Sequence, residues 1–245
     1  DRPVMSELLH TPSAVPRDRS LQAAIRECLD VKAELLARRP TVHVELEVRF
    51  GRIDGGGFVP GLTPDDHASC IEYMEAYEGW SEDVAWNRTT DYFFNNRGRS
   101  VRQTVAVDPD DYSYCNHPVI SKQTCVTFVF EVDEHHRAIK LSLASEAAVD
   151  DPPKIARPTW VRKKYRRSFR AGDTRFDFTI VQSGRNKTEF GPHTYEAEIE
   201  HDGADGAAKL VHNVWQMYAA QGVDLDSRGP CVLVSRDYRT TAPTT

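Results

Sequence analysis

Three segments carry charge at every second position: Glu45, Glu47 and Arg49 in VHVELEVRFG, Arg162, Lys164 and Arg166 in WVRKKYRRSF, and Glu196, Glu198 and Glu200 in TYEAEIE. Side chains of a β-strand alternate between faces, so each segment aims its charges one way and its apolar residues the other. Two more segments repeat the pattern. Lys140, Ser142, Ala144 and Glu146 stand opposite Ile139, Leu141 and Leu143, and Arg175, Asp177 and Thr179 opposite Phe176, Phe178 and Ile180. Any one of them alone reads as a sheet with a polar face in water. Five together predict a closed sheet lined with charge.

Such a lining has chemical consequences. With Arg102 and Lys122 added, it holds seven carboxylates (Glu45, Glu47, Glu146, Asp177, Glu196, Glu198, Glu200) and eight cations (Arg49, Arg102, Lys122, Lys140, Arg162, Lys164, Arg166, Arg175), a sum of +1. An ion taken out of water costs several kcal/mol unless it is paired, metal-bound or still hydrated, so this interior is wet and functional. Glutamates at i, i+2 and i+4 stand ~6.5–7 Å apart and repel, which a divalent cation relieves. Hard oxygen donors of this kind suit Mg²⁺ or Mn²⁺. One such ion brings the lining to about +3, matched to a ligand of several phosphates whose full charge is about −4. The Arg-x-Lys-x-Arg face would clamp phosphate oxygens, arginine bidentately and lysine as a point charge. Glu146, alone among small polar neighbours, is placed like a group that orients or deprotonates water.

The elements that must position these residues are legible as well. From Ser20 to Arg39 the apolar residues Leu21, Ile25, Cys28, Leu29, Leu35 and Leu36 recur at helical spacing, and Pro40 stops the helix before the first charged strand. Gly55, Gly56 and Gly57 form a loop, and Thr63 caps a second helix running to about Gly79, with Pro64, Asp65 and Asp66 in its first turn. Strands are expected at 90–95, 99–107, 118–132 (with a bend), 137–147, 159–170, 174–182 and 194–201, an antiparallel meander broken by turn-rich loops. Ala207, Leu210, Val211, Val214, Trp215 and Tyr218 give a third amphipathic helix, ended by Gly222. Residues 1–18 read as a mobile arm, 19–239 as a single catalytic domain, and 240–245 as a disordered tail.

Composition fits a globular chain: 40% hydrophobic and 28% charged residues over 245 positions suffice for one sizeable core. No apolar stretch reaches the length of a membrane span, and the start lacks the basic-then-apolar order of a signal peptide, so an intracellular protein without membrane contact is expected. Five cysteines without a CxxC pair point to reduced thiols. A net charge of −6 argues against a protein that wraps DNA or long nucleic-acid backbone, but leaves room for a short anionic ligand held inside.

The ordered set ELEVRFG, RKKYR, RFDFT and YEAEIE, spanning about residues 42–201, resembles the metal-dependent RNA 5′-triphosphatases of the triphosphate tunnel metalloenzyme superfamily. These are the kind found in fungal and protozoan mRNA capping, trypanosomatid members included. The resemblance implies an α+β fold: a closed antiparallel eight-stranded β-barrel, the tunnel, with supporting α-helices. It implies an enzyme that removes the γ-phosphate from 5′-triphosphate RNA, the first step of cap formation. By motif, Glu45 and Glu47, with Glu198 or Glu200, resemble the metal ligands. Arg102, Lys122, Arg162, Lys164, Arg166 and Arg175 resemble the phosphate clamps, and Glu146 the carboxylate that positions the attacking water. Asp177 and Glu196 resemble partners that orient the basic side chains. The resemblance further implies a nuclear location, NTPs as small substrates and a functional link to guanylyltransferase, although no segment resembles the tryptophan-containing docking peptide of the yeast enzymes. Arg49 stands where many members of the superfamily carry lysine.

Other features carry less chemistry. His135 and His136 in DEHHR read as a solvated hairpin turn, and His43 as a polar residue at the tunnel mouth. DGGGF lacks the Lys-Ser/Thr of a phosphate-binding loop, and no GxSxG nucleophile occurs. Trp80, Trp86, Phe93 and Phe94 are expected in the core behind the barrel wall. Two alternatives fit the same lining: a tunnel-fold tripolyphosphatase or thiamine triphosphatase, and a noncatalytic binding module for RNA 5′ ends.

Overall fold

A computed structural model describes residues 18–96, 99–106, 119–149, 158–185, 189–204, 206–225 and 229–239. The elements in chain order are α1 (Arg19–Arg38), β1 (His43–Asp54), β2 (Gly57–Pro60), α2 (Pro64–Glu75), β3 (Glu82–Asn96), β4 (Arg99–Ala106), β5 (Val119–Glu131), β6 (Arg137–Ala148), β7 (Trp160–Ala171), β8 (Thr174–Gly184), β9 (Phe190–His201), α3 (Ala207–Ala220) and β10 (Val232–Tyr238). Eight strands close a ring in the order β1-β6-β5-β4-β3-β7-β8-β9 and back to β1, every neighbour antiparallel. This is the closed antiparallel barrel with supporting helices that the charged alternation predicts. The bend expected in the 118–132 segment is a register shift of β5 against β6 between Thr124 and Val126.

The apolar faces turn outward. Leu46, Val48 and Phe50 of β1, Leu141 and Leu143 of β6, Phe176 and Phe178 of β8 and Ile199 of β9 share one core with Leu21, Ile25 and Cys28 of α1 and Leu210, Val214 and Tyr218 of α3. Each fully buried side chain of this size contributes ~1.5–3 kcal/mol, so the helices are what make an outward-facing apolar wall stable. Thr63 caps α2 as expected, its Oγ1 accepting the Asp66 amide at 3.1 Å with Pro64 in the first turn. Gly222, with φ 76°, follows α3 in the left-handed conformation.

Four expectations need correction. The second helix stops at Glu75, short of Gly79, because Trp80 folds back, donating its indole N–H to the Met74 carbonyl at 2.9 Å and packing on Phe169 and Phe176. Trp86, Phe93 and Phe94 are not core: Trp86 stacks on Tyr165 at 4.6 Å on the outer wall of β3 and β7, and both phenylalanines are half-buried. The helices pack instead on the side formed by β1, β5, β6 and β9. Strand β3 starts eight residues earlier than 90, at Glu82, with a register shift between Val84 and Asn87. Finally, β2 and β10 lie outside the ring, paired to β1 and β5. Gly55 and Gly56, at φ 56° and 81°, form the turn from β1 to β2. A Cβ on Gly51 would fall 2.2 Å from the Val59 carbonyl, so only glycine lets β2 lie there.

Residues 1–17 and 240–245 fall outside the described residues, whereas Asp18 is buried and accepts the Cys231 amide at 3.3 Å. Cys28, Cys70, Cys125 and Cys231 are free and buried, and Cys115 lies outside the described residues. Burial pushes the Cys28 and Cys70 thiols up to about 12, which removes them as nucleophiles. His136, at φ 60°, turns the hairpin between β5 and β6 and contacts Glu131 at 2.5 Å.

His67 of α2 is 3% exposed, edge-on to Phe178 and Tyr195, and burial lowers its pKa from 6.5 to about 4. Between those values the unfolded chain binds the extra proton, so stability falls as pH drops from 6.5 towards 4, by up to about 3 kcal/mol from this group. A His67→Phe variant is expected to show a flatter decline than wild type over that range in urea denaturation followed by circular dichroism.

Candidate active site

Inside the ring, a cavity of about 230 Å³ is lined by Glu45, Glu47 and Arg49 of β1, Asn87 and Thr89 of β3, Arg102 and Thr104 of β4, Lys122 of β5, Glu146 of β6, Arg162, Lys164 and Arg166 of β7, Arg175 of β8 and Glu196, Glu198 and Glu200 of β9. Every candidate site residue except Asp177 lines it, and Asp177 lies fully buried beside Arg166 and Arg175. The antiparallel register converges them: Glu47 pairs with Glu200, Arg49 with Glu198, and Glu198 with Asp177.

One wall is acidic. Glu45, Glu47 and Glu200 each bring a carboxylate oxygen within 4.8 Å of the other two, and Asp177, Glu198 and Glu200 do the same. Glu198 is engaged by Arg49 Nε at 2.9 Å. Burial works against its ionised form, but Arg49, Arg166 and Arg162 hold its carboxyl below the usual range. Glu200 goes the other way. Burial, joined by Asp177, Glu45 and Glu198 against Arg175, pushes it up to about 7. An all-oxygen donor set of this width fits a hard divalent cation coordinated at ~2.0–2.6 Å.

The facing wall is basic, and its cations are held by acids. Arg162 donates to both oxygens of Glu196 at 2.6 and 2.8 Å, and Lys164 pairs with Asp91 at 2.7 Å. Arg166 reaches Asp177 at 2.9 Å and donates to Thr179 at 3.1 Å, while Arg175 bridges Asp177 at 3.2 Å and Glu200 at 2.5 Å. Lys122 spans Glu45 at 2.7 Å, Glu47 at 3.3 Å and Glu146 at 3.7 Å. Burial, with Arg166 and Arg102 nearby, lowers the Lys164 pKa despite Asp91. Glu146 is not alone, as its sequence context implied: Arg102 donates to it at 3.2 Å. His43 stands at the strand end, exposed and 3.2 Å from Glu45.

Sequence reasoning missed Asp91, fully buried, which accepts the Thr104 hydroxyl at 2.7 Å besides holding Lys164. The signal was the alternation Asn87, Thr89, Asp91, whose register partners across the sheet are Arg166, Lys164 and Arg162. Asparagine and aspartate are poor strand formers, so the pattern does not announce itself. Asp91 also alters the charge count. Lys140 pairs in register with Arg49 and so shares the inward face, and with Asp91 added the inner set has eight carboxylates against eight cations, no net charge where +1 was expected.

A barrel with opposed acidic and basic inner walls defines a tunnel-type phosphohydrolase. The chain belongs to the family described as mRNA capping enzyme, beta chain, the RNA 5′-triphosphatases of mRNA capping, whose model matches residues 61–214. Strand β1 precedes the matched segment. The RNA triphosphatase Pct1 of S. pombe, solved in complex with the Spt5 CTD, superposes with a TM-score of 0.57 at 15% identity over 84% of this chain and 89% of that one. The capping enzyme triphosphatase of Mimivirus superposes with a TM-score of 0.59 at 15% identity over 84% and 99%. At such identity these likenesses establish the fold. Comparison with curated proteins yields no match.

Asp177 is the anchor most exposed to a simple test. Its removal leaves the Arg166 guanidinium with only the Thr179 hydroxyl and Arg175 with Glu200 alone, so Asp177→Ala is expected to cost ~3–5 kcal/mol, read as a lower urea midpoint at unchanged slope.

Proposed function

We infer that this cavity holds the 5′-triphosphate end of RNA beside a Mg²⁺ or Mn²⁺ ion and releases the γ-phosphate, leaving the diphosphate end used in guanylyl transfer. The observation that carries this reading is the carboxylate trio Glu45, Glu47 and Glu200, within 4.8 Å of one another, facing the Arg162, Lys164 and Arg166 wall. Without a cation the inner set carries no net charge, and a ligand of several phosphates adds about four negative charges to it. A divalent cation offsets part of that charge, so cation and triphosphate reinforce each other's binding.

Glu45, Glu47 and Glu200 are the residues that would hold the ion. Glu198, which meets Glu200 and Asp177 in the neighbouring acidic group and shares Arg49 with Glu47, supports them from the side. When bound, the cation neutralises charge on phosphate oxygens. Arg102, Lys122, Arg162, Lys164, Arg166 and Arg175 grip the remaining oxygens, pre-aimed by Glu196, Asp91 and Asp177, so little reorganisation accompanies the reaction. Glu146 orients a water for in-line attack on the γ-phosphorus and takes its proton. The bond to the bridging oxygen breaks, and phosphate and diphosphate-ended RNA leave. Positioning and electrostatics dominate such transfers, and many contacts share the barrier. Residues 19–239 are read as one catalytic unit. NTPs are a second, smaller class of substrate, and the functional link is to guanylyltransferase acting on nascent transcripts in the nucleus.

The test is release of labelled γ-phosphate from triphosphate-ended RNA with Mg²⁺ or Mn²⁺, compared with thiamine triphosphate and tripolyphosphate. Glu45→Ala, Glu47→Ala and Glu200→Ala should each abolish it, as should chelation. Near wild-type release in any two of them would sink the ion assignment. Glu146→Gln is expected to lower kcat by ~10²–10⁴-fold while leaving Mn²⁺ affinity, measured by calorimetry, unchanged. A parallel loss of Mn²⁺ affinity would make Glu146 a ligand instead.

A further inference from the structure

A second and larger hollow, about 560 Å³, lies outside the barrel wall, with Arg39 and Arg99 among its lining residues. Its floor is formed by Val101, Ser121, Gln123 and Ser145. The neighbours in sequence, Arg102, Lys122 and Glu146, line the inner cavity. Strand registers place the two on one wall: Val101 pairs with Ser121 and Gln123 with Ser145, while Lys122 pairs with Glu146 on the opposite face. The hollow is therefore the back of the strand ends whose front carries the proposed water-orienting carboxylate. It sits at the barrel end where His43 opens β1, since His43 pairs with Glu146.

The chemistry of this cleft differs from that of the tunnel. Arg39, just past the end of α1, and Arg99, opening β4, are both exposed, and among the described residues neither is paired with a carboxylate. Every cation lining the inner cavity, by contrast, is ion-paired. The lining sets the polar groups of Ser121, Gln123 and Ser145 among valines and alanines and holds no acid. Two guanidinium groups without a carboxylate partner, over a lining with no acid, match a flexible polyanion whose phosphates recur along a chain, and would have no role for the compact triphosphate itself.

We propose that this cleft is the track for the RNA strand leading away from the triphosphate, with Arg39 and Arg99 contacting backbone phosphates of the first nucleotides. The proposal rests on the tunnel being the triphosphate site, and it names the mouth beside His43 and Glu146 as the one through which RNA enters. Contacts of this kind carry no base information, so the cleft favours RNA over small triphosphates without sequence preference.

The experiment compares wild type with the double variant Arg39→Ala/Arg99→Ala, in the presence of Mn²⁺. For a ten-nucleotide 5′-triphosphate RNA, KM is expected to rise roughly tenfold, and the dependence of binding on salt should become shallower, by ~0.7 for each backbone phosphate the variant no longer neutralises. The inhibition constant of inorganic tripolyphosphate should stay at its wild-type value, which also reports an intact tunnel. Equal weakening of RNA and tripolyphosphate, or no change in either, overturns the proposal; a cleft made for an acidic peptide would give the second result. Fluorescence anisotropy of the labelled RNA reads the same phosphate contacts without turnover. If wild type releases no phosphate from RNA, the functional reading fails, while loss or retention of anisotropy in the double variant still decides the cleft.

Discussion

The pairing of each cation that lines the cavity with a carboxylate is the constraint on which the rest of this barrel depends. A β-barrel of this size is ordinarily filled by apolar side chains. Here the inward positions carry ions, and each cation that lines the cavity lies within ion-pair distance of a carboxylate from another strand or its own. Lys164 with Asp91, Arg166 with Asp177 and Arg162 with Glu196 are each separated by a few strand positions in register but by many in sequence. The net energetic return of such pairs is small, since Coulomb attraction is offset by desolvation. Their return is geometric: a set of donors fixed in place before a ligand arrives.

The same constraint explains why the hydrophobic core lies outside the barrel. With the inner face given to ions, Leu46, Leu141, Phe178 and Ile199 have only the outward side to pack on, and α1 and α3 supply the cover. Among the described residues no helix covers the opposite wall of β3 and β7 to the same extent, and Trp86 and Tyr165 stand there partly in solvent. Stability and function thus occupy different surfaces of the same strands. That separation lets the tunnel keep a carboxylate such as Glu200, which burial, with Asp177, Glu45 and Glu198 beside it, raises to about 7.

Charge balance distinguishes this interior from a merely solvated one. One missed residue, Asp91, moves the inner set from a surplus of cations to balance. The consequence is qualitative. A surplus of cations would attract polyphosphate by itself, whereas a balanced set leaves the ligand's charge for a divalent ion to offset.

Alternation in sequence determined which residues face inward, because strand geometry has a period of two and admits only two choices; once the charged set was assigned to one face, the barrel and its lining followed. The caps of α2 and α3 were equally local, resting on Thr63 and Gly222. What the tertiary structure alone decided was who meets whom. Glu200 joins Glu45 and Glu47 while Glu198 joins Asp177 and Glu200, an arrangement set by the register of β9 against β1 and β8 that no local pattern encodes. Asp91 became visible only when β3 was laid against β7, and the short end of α2 only when Trp80 found Phe169 and Phe176. Periodicity within a strand is a local property; partner, register and cover are long-range ones, and they set the site's charge.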